Sequence, residues 1–439
     1  MGGEEVEGDW AGSLPLENGY RYGPGFADQH SNMSVKISVF TKNVQGYAWN
    51  VIGVIPGSIE PDRYVLVGNH RDAWAFGALD PSSGTACMLE LSRAVGVLVN
   101  NGWKPRRSIM FCSWGAEEQG LIGSHEWVEE FTKTLGIRVV AYINVDVSLY
   151  GTWVPDIVAT PNLARLIREA SKVIPDPDPE GNRQTIYDTW KARGTLNEDD
   201  EPYIGTPGSG SDHGSLLHML GVSALDALYD FNREEVPIRG YPMYHSVYET
   251  FDLVSKYYDP SFKYMLAIGQ LIGEVMRQLA DTVIIPMDVA DYAIAVEKYF
   301  IQLRDGDIGS RMTQQGLSFE YMESAVNNLT IEAYAFKERL NHLDLNDILA
   351  VRAVNDQIMY LDRMFIDPMG LSAERKYEKH VILAPSSKNS YAGEKFAGIV
   401  DAMFEIDTNP DPEKWDYVKM ELAQVTYFIQ SAAYMLQPV

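Results

Sequence analysis

The stretch VLVGNHRDAWAFGALDPSSG, residues 65–84, decides the fold of this chain. Its apolar beginning is typical of a buried strand, and that strand runs into His70, Arg71 and Asp72. Asp80 follows ten residues after the histidine and precedes a proline. A hydrophobic strand that ends in so many hydrogen-bonding and metal-ligating groups predicts a functional site at one edge of a sheet.

Strands and helices alternate around this stretch. The strand-like runs are SVKISVFT (34–41), AWNVIGVIPG (48–57), RYVLVGN (63–69), RRSIMFCSW (106–114) and VVAYINVDV (139–147). A helix is predicted from Ser83 to about Leu98, and another begins near Glu118. The alternation predicts an α/β domain with a mostly parallel sheet flanked by helices, whose ligand site lies beyond the carboxyl ends of the strands.

The pattern changes after Pro260. Residues 261–280 have helical periodicity, as does almost all of 290–439, which predicts a separate all-α unit. Residues 174–208 are a long insertion rich in proline, glycine and acidic residues, of the kind that carries binding loops.

Composition narrows the class of partner. The 439 residues include 36 Lys plus Arg against 61 Asp plus Glu, a net charge of −25 that argues against nucleic acid or an anionic membrane. Cys87 and Cys112 are expected to pack as buried hydrophobic side chains rather than to form a disulfide. No window reaches the roughly 18 uncharged apolar residues of a membrane span, and the N-terminus lacks the features of a signal peptide. The chain as it stands is therefore expected to be soluble.

Acidic residues and histidines follow the predicted strands. The candidates are His70, Asp80, Glu117, Glu118, Asp146 and, from the later run YPMYHSVYET, His245. Two histidines and several carboxylates on one rim of a sheet suit a pair of Zn²⁺ ions, which one carboxylate can bridge. Of the two adjacent glutamates, one can bind metal while the other takes a proton from water. Asp72 is placed to accept a hydrogen bond from the second ring nitrogen of His70.

Each of these residues also has a simpler interpretation when it is taken singly. Glu117 and Glu118 suit the first turn of a helix, Asp80 with its proline suits a turn, and a lone histidine is usually structural. Five histidines are interpreted as structural: His125, His213, His218, His342 and His380. The loop GTPGSGSDHGS (205–215) lacks the Lys-Ser/Thr of a phosphate-binding loop and is interpreted as a substrate wall.

Five motifs match, in order and spacing, the glutamate carboxypeptidase II and transferrin receptor family of co-catalytic zinc peptidases. They are GNHRDAWAFGALDPSSGTA (68–86), SWGAEEQGLIGS (113–124), AYINVDVS (141–148), GSGSD (208–212) and YPMYHSVYET (241–250). The resemblance covers nearly the whole chain and looks closest to the N-acetylated α-linked acidic dipeptidase-like proteins. It implies a zinc peptidase domain at 44–282 and a helical dimerisation domain at 283–439, with 1–43 a remnant of an apical domain and linker.

The resemblance also implies residue roles. Asp80 would bridge two zinc ions, with Glu118 and His245 completing one site and His70 and Asp146 the other. Glu117 would be the general base, and Tyr244 would polarise the scissile carbonyl. The cleft would be lined by Ser209, Gly210, Asp226 and Tyr391, and Glu126 and Glu129 match carboxylates that help to hold a structural calcium in the family.

The chain departs from the family pattern in two ways. The glutamate-specific enzyme has arginines where this chain has Asp156, Asp226 and Leu228, and a lysine where it has Ser390. Carboxylates at those positions would repel an acidic substrate and favour a free amino terminus or a basic side chain. Relatives also carry a cytoplasmic tail, a transmembrane helix and most of an apical domain before the point that matches Met1, so the chain is expected to be N-terminally incomplete.

The leading hypothesis is a dizinc metallopeptidase, of aminopeptidase or dipeptidase/carboxypeptidase type, acting near a chain end of small peptides. The full-length form is expected to be a homodimeric type II membrane glycoprotein with this part of the chain on the extracellular side. Glycosylation would concern Asn32 and Asn328. The alternative is a receptor-like or truncated, inactive homologue. The presence of all five ligands and the base favours an enzyme.

Overall fold

The computed structural model of the chain describes residues 2–6, 21, 23, 25–236, 240–408 and 412–438. The chain divides into two compact units, one made of 1–47 with 233–239 and the other of 48–232 with 240–439. Within its described part the first unit has one 3₁₀ turn, Asp28–His30. The second unit holds the sheet and the α-helices.

The strand predicted at 34–41 is not formed, and that prediction was wrong. These residues have no regular secondary structure, and the side chains of Val35, Ile37, Val39 and Phe40 are exposed. An alternating apolar pattern becomes a strand only where a neighbouring strand pairs with it and a packed surface covers its apolar face. The described residues of the first unit provide neither.

A six-stranded sheet forms the centre of the second unit. Over the described residues, its strands are β1 (Val51–Ile55), β2 (Glu60–His70), β3 (Arg107–Trp114), β4 (Val139–Asn144), β5 (Val154–Ala159) and β8 (Ala224–Asp230). Two separate pairs of short strands are β6 (Pro175–Glu180) with β7 (Arg183–Thr185), and β9 (Leu383–Pro385) with β10 (Gly393–Lys395). The sheet has the order β1-β3-β2-β4-β8-β5. Its inner pairs are parallel and its two edge strands are antiparallel. The predicted mostly parallel sheet is confirmed.

Helices cover both faces of the sheet and continue into the C-terminal part. Over the described residues they are α1 (Ser82–Asn100), α2 (Ile122–Arg138), α3 (Ala164–Ser171), α4 (Ile186–Arg193), α5 (His213–Leu220), α6 (Phe251–Leu253), α7 (Lys263–Asp281), α8 (Val289–Asp305), α9 (Asp307–Gln314), α10 (Glu320–Asn341), α11 (Ile348–Tyr360), α12 (Ala397–Thr408) and α13 (Lys414–Met435). Alternate side chains of β2 enter different cores, Val65 and Val67 with α1 and α7, and Leu66 with α2 and α5. Burial on both faces explains why this strand is an uninterrupted apolar run.

The insertion at 174–208 is more ordered than its composition indicates. It contains the β6–β7 hairpin and α4, which begins at a capping box formed by Thr185 and Asp188. Both cysteines are buried and free, as expected. None of the helices in the described part of the chain combines the length and apolarity that crossing a bilayer requires.

A buried polar network docks the C-terminal helices on the sheet. Asp362, which has no solvent exposure, accepts hydrogen bonds from Tyr292 Oη at 2.6 Å, Ser223 Oγ at 2.9 Å and His380 Nε2 at 2.9 Å. Ser223 directly precedes β8, whereas Asp362, Tyr292 and His380 lie in the C-terminal part of the chain, 283–439, called the helical segment below. The network therefore joins the sheet to the helical segment. Because all three partners satisfy one buried carboxylate, the orientation of the two segments is specific.

Candidate metal centre

The carboxyl ends of the parallel strands bring the first group of potential ligands together. His70 is the last residue of β2, and Asp146 lies two residues after β4. His70 Nε2 is 2.8 Å from Asp146 Oδ1 and 3.2 Å from Asp80 Oδ1. Asp80 comes from the loop that leads into α1, so three separate places in the sequence meet at one point.

Asp80 also belongs to a second group. Its Oδ2 is 3.2 Å from His245 Nε2, and Glu118 Oε2 is 3.1 Å from the same nitrogen. In each group of three, one donor atom per residue lies within 4.8 Å of the other two. The five residues named from the sequence therefore converge, and Asp80 is shared between the two groups.

The donor set fits bound zinc. It combines two imidazole nitrogens with carboxylate oxygens, which is the mixture that zinc accepts. Asp80 is 6% exposed, and its buried Oδ1 accepts no well-aligned hydrogen bond, although His70 Nε2 lies 3.2 Å away. A buried carboxylate oxygen without a donor is costly unless a cation or another group satisfies it.

Electrostatics within the cluster point the same way. Burial, reinforced by the charge of Asp146, raises the pKa of Glu117 to about 9. Burial and the charge of Asp80 raise the pKa of Glu118 to about 7. Although burial by itself lowers the pKa of His70, the charge of Asp146 and the nearby carboxylates raise it well above its ordinary value. So many carboxylates in one partly buried site require positive charge for all of them to ionise.

Glu117 and Glu118 lie on a loop and not on a helix, which corrects the predicted helix start. α2 begins at Ile122, and the connecting loop has left-handed backbone at Ala116 and Leu121, with φ of 58° and 59°. The loop is held from the other side by Asp72, whose carboxylate accepts the backbone N–H groups of Glu117 at 3.0 Å and Glu118 at 3.1 Å. The sequence gives no sign of this contact.

Asp72 contacts His70 differently from the prediction. His70 Nδ1 lies 3.0 Å from the main-chain carbonyl oxygen of Asp72, while the nearest carboxylate oxygen is 3.8 Å away. The carbonyl fixes the ring orientation and leaves Nε2 directed at the centre. The carboxylate is left to position the glutamate loop.

His245 has a left-handed backbone, with φ of 57°. Strain of this kind in a residue other than glycine is typical of functional sites. The ring of Tyr244 stacks on it at a centroid distance of 3.6 Å, and the hydroxyl of Tyr244 is 3.3 Å from that of Tyr391. Tyr391 belongs to the helical segment, so that segment contributes a side chain next to the centre.

The predicted wall at Ser209 and Gly210 packs against the same tyrosine. Ser209 N donates to the carbonyl of Ser390 at 2.8 Å. A Cβ on Gly210 would lie 2.6 Å from a ring carbon of Tyr391. Glycine at 210 therefore allows the ring to lie flat on the backbone.

Asp226 lies behind the centre. It lies opposite Asn144 in the register of β4 and β8, and its Oδ1 accepts the backbone N–H of Ala227 at 3.0 Å. Burial and the charge of Asp146 raise its pKa to about 7. Asp156 is exposed on β5 across from Leu228. Asp226 thus lies close enough to Asp146 for their charges to interact, which sequence reasoning missed.

Other predicted residues lie outside the cluster. Glu126 and Glu129 are exposed on α2, and in the described chain neither joins a group of three potential ligands. The five histidines interpreted as structural have hydrogen-bond partners away from the cluster: Ser215 for His125, the Gly208 carbonyl for His213 and His218, Glu338 for His342 and Asp362 for His380.

Comparisons with known proteins agree with this geometry. Residues 50–258, which contain all five clustered residues, match the model of Peptidase family M28. Residues 50–258 are therefore similar to peptidase family M28. Residues 317–437 match the Transferrin receptor-like dimerisation domain, so the resemblance found in the sequence is confirmed. The match lies within the predicted helical segment, while the domain boundaries themselves stay predictions.

The M28 relatives are longer than this chain. Aminopeptidase NAALADL1 of Mus musculus is 40% identical over 98% of this chain and 58% of its own length. Probable glutamate carboxypeptidase LAMP1 of Arabidopsis thaliana is 38% identical over 88% of this chain and 54% of its own length. The chain thus spans less than two thirds of these curated relatives. Among solved structures, the zinc aminopeptidase BSAP from Bacillus subtilis matches 53% of this chain and 50% of its own at 22% identity, with a TM-score of 0.38.

Proposed function

We propose that this chain is a zinc-dependent exopeptidase whose site holds two zinc ions. The observation that carries the proposal is the placement of Asp80, whose two carboxylate oxygens face different histidines. His70 and Asp146 would hold one ion, Glu118 and His245 the other, and Asp80 would bridge them. Bound zinc supplies the Lewis acidity that activates water and polarises the scissile carbonyl.

Glu117 is the proposed general base. It contacts the centre without belonging to either group of ligands, with Oε2 at 3.9 Å from His70 Nε2. Its carboxylate takes a proton from the attacking water and returns it to the leaving amine. The bond from its backbone N–H to Asp72 holds it at the required position.

Tyr244 is the proposed donor to the substrate carbonyl. Its side chain is partly exposed beside His245, and burial together with Tyr391 raises its pKa well above the ordinary value. The hydroxyl therefore keeps its proton at neutral pH and is available to stabilise negative charge on the carbonyl oxygen. Tyr391, Ser209 and Gly210 would form the adjacent wall of the substrate cleft.

The proposed substrates are small peptides with a free amino terminus or a basic side chain. The argument is the charge of Asp156 and Asp226 at positions where the glutamate-specific relatives have arginine. Asp156 is exposed on β5, whereas Asp226 lies near Asp146 with a raised pKa of about 7, so its negative charge is complete only above neutral pH. A receptor-like role is less favoured because the donors of both ligand groups are retained and converge.

Homodimerisation through the helical segment is also proposed, on the match at 317–437. The extracellular, membrane-anchored topology, the glycosylation at Asn32 and Asn328 and the calcium at Glu126 and Glu129 rest on the family resemblance alone and stay predictions.

Elemental analysis together with a substrate panel tests the proposal. The purified chain is expected to contain about two zinc ions per polypeptide. It should hydrolyse aminoacyl substrates in preference to N-acetyl-aspartyl-glutamate. A folded chain without zinc contradicts the proposed enzyme, and a strong preference for the acidic dipeptide contradicts the specificity argument only.

A further inference from the structure

Glu249 lies four residues after His245 on the same loop, and it is almost wholly buried, at 2% exposure. Its Oε1 accepts the backbone N–H of Leu79 at 3.0 Å and that of Asp80 at 2.5 Å. Its main-chain carbonyl accepts the N–H of Ala78 at 3.2 Å. Three consecutive backbone donors of one loop are therefore satisfied by a single residue of another.

These three donors belong to the segment that ends in Asp80. No strand or helix orders that segment, which lies between β2 and α1. The backbone nitrogen of Asp80 is bonded directly to its Cα. Hydrogen bonds to this N–H and to the two before it therefore orient the backbone at Asp80, and with it the direction in which the side chain leaves. The same residue anchors the loop of His245, so both loops are held in one frame.

The surroundings make this contact specific. The carboxylate lies among few donors: the two backbone N–H groups and, beside it, the hydroxyl of Tyr241. A hydrophobic side chain at this position could not accept the two backbone N–H groups and would leave them without a partner.

We propose that Glu249 is the positioning residue that sets the bridging carboxylate of Asp80 between the two metal sites and couples the Asp80 loop to the His245 loop. The inference rests on the proposed dizinc function. Because Asp80 is shared, loss of the Glu249 contact weakens zinc binding at both sites and not only at the site that contains His245.

Three variants of the full chain separate position from charge. Glu249→Ala removes the acceptor. Glu249→Asp keeps the charge but withdraws the oxygen by about one methylene from the two N–H groups. Glu249→Gln keeps an oxygen in place and removes the charge, so it is the conservative rescue. Glu421→Ala is the matched control, because Glu421 is also a buried glutamate beside a tyrosine but lies on α13 within the helical segment.

Zinc affinity is measured by competition with a chelator, with zinc alone as the probe, alongside the melting temperature of the metal-free chain. Glu249→Ala and Glu249→Asp are expected to bind both zinc ions about 10- to 100-fold more weakly, while Glu249→Gln stays close to wild type. Glu421→Ala is expected to lower the melting temperature and leave zinc affinity unchanged.

Wild-type zinc affinity in both Glu249→Asp and Glu249→Ala would overturn the inference and leave the proposed function intact. The Asp variant alone decides if the Ala variant does not fold. Equal losses in Glu249→Gln and Glu249→Asp would show that charge and not position matters, which also overturns it. A folded wild-type chain that binds no zinc would overturn the proposed function as well, so the two failures are distinct.

Discussion

A side chain on Gly84 would collide with the main-chain carbonyl oxygen of Asp146. The first turn of α1 crosses directly against the segment that follows β4, and the same imagined Cβ would also meet the carbonyl of Val145. Beside this contact, Asn69 Nδ2 lies 2.8 Å from the same imagined Cβ and donates to the carbonyl of Val145 at 2.9 Å and to that of Asp146 at 3.1 Å. The backbone of a proposed ligand thus packs against a glycine and is hydrogen-bonded by the neighbouring asparagine.

Gly84→Ala is expected to destabilise the chain by about 1–3 kcal/mol and to weaken zinc binding, since the added methyl group must displace the Asp146 segment. Gly96→Ala is the control on the same helix, because nothing lies within 4 Å of its imagined Cβ. That variant should stabilise the chain by about 0.5–1 kcal/mol. Denaturant titration and zinc competition measure both effects, and equal behaviour of the two variants would contradict the packing argument.

Asp80→Ala and His245→Ala should differ in metal stoichiometry. Removing the shared carboxylate takes a donor from both groups, so Asp80→Ala is expected to retain neither zinc ion after dialysis. His245→Ala affects one group only and should retain close to one ion, held by His70, Asp80 and Asp146. Elemental analysis of the dialysed proteins makes the comparison. Retention of two ions by Asp80→Ala would rule out the bridging role.

Glu117→Gln should bind zinc like the wild type and lose activity. The amide has the size of the carboxylate but cannot take a proton, and general-base catalysis contributes about 10²–10⁴-fold. The effect should fall on kcat, with KM little changed, because the group acts on the water and not on the peptide. A Glu117→Gln enzyme with wild-type kcat would remove this residue from the base role.

The buried carboxyl group of Glu421 should make the free energy of unfolding depend on pH, and this effect is separate from the proposed metal centre. Burial raises its pKa to about 7, and it lies against Gly398 of α12 with Asp367 and Asp401 near it. A carboxyl group with a raised pKa in the folded state binds protons more tightly there than when unfolded. Its contribution to stability is therefore complete below about pH 4.5 and is lost as the pH rises through about 7.

Glu421→Gln should abolish that part of the pH dependence. At pH 8 the variant is expected to be more stable than the wild type by on the order of 1–3 kcal/mol, since each unit of pKa shift is worth about 1.4 kcal/mol. At pH 4 the difference should vanish. Urea denaturation at the two pH values measures it. If the free energy of unfolding changes between pH 5 and 7 to the same extent in the wild type and in Glu421→Gln, the assignment is contradicted.

The sequence predicts the strand ends well because burial on both faces leaves a clear apolar signal in β2, β3 and β4. It predicts the meeting of His70, Glu118 and Asp146 because parallel strands deliver their carboxyl ends to one edge, while Asp80 and His245, which lie on loops away from the strand ends, are assigned their places by the family resemblance. It does not predict that Glu117 and Glu118 lie before the helix, since the left-handed residues that delay α2 have ordinary side chains.

Long-range register accounts for the other misses. Asp226 is set behind Asp146 by the pairing of β4 with β8, which are far apart in sequence and whose alignment is not written in either strand alone. The strand predicted at 34–41 also depended on distant residues. An alternating apolar pattern forms a strand only when another part of the chain supplies a neighbouring strand and a surface to pack on. Asp72 and Glu249 act through backbone N–H groups, and such groups carry no residue-specific signal.

The hydroxyl contact between Tyr244 and Tyr391 links residues that belong to different segments of the chain, one in the match to the peptidase family and one in the match to the dimerisation domain. A chimera that exchanges the C-terminal part between relatives would therefore alter the rim of the proposed active site along with the proposed dimer contact. A hybrid or truncated protein should therefore keep both segments, and both should come from the same parent sequence.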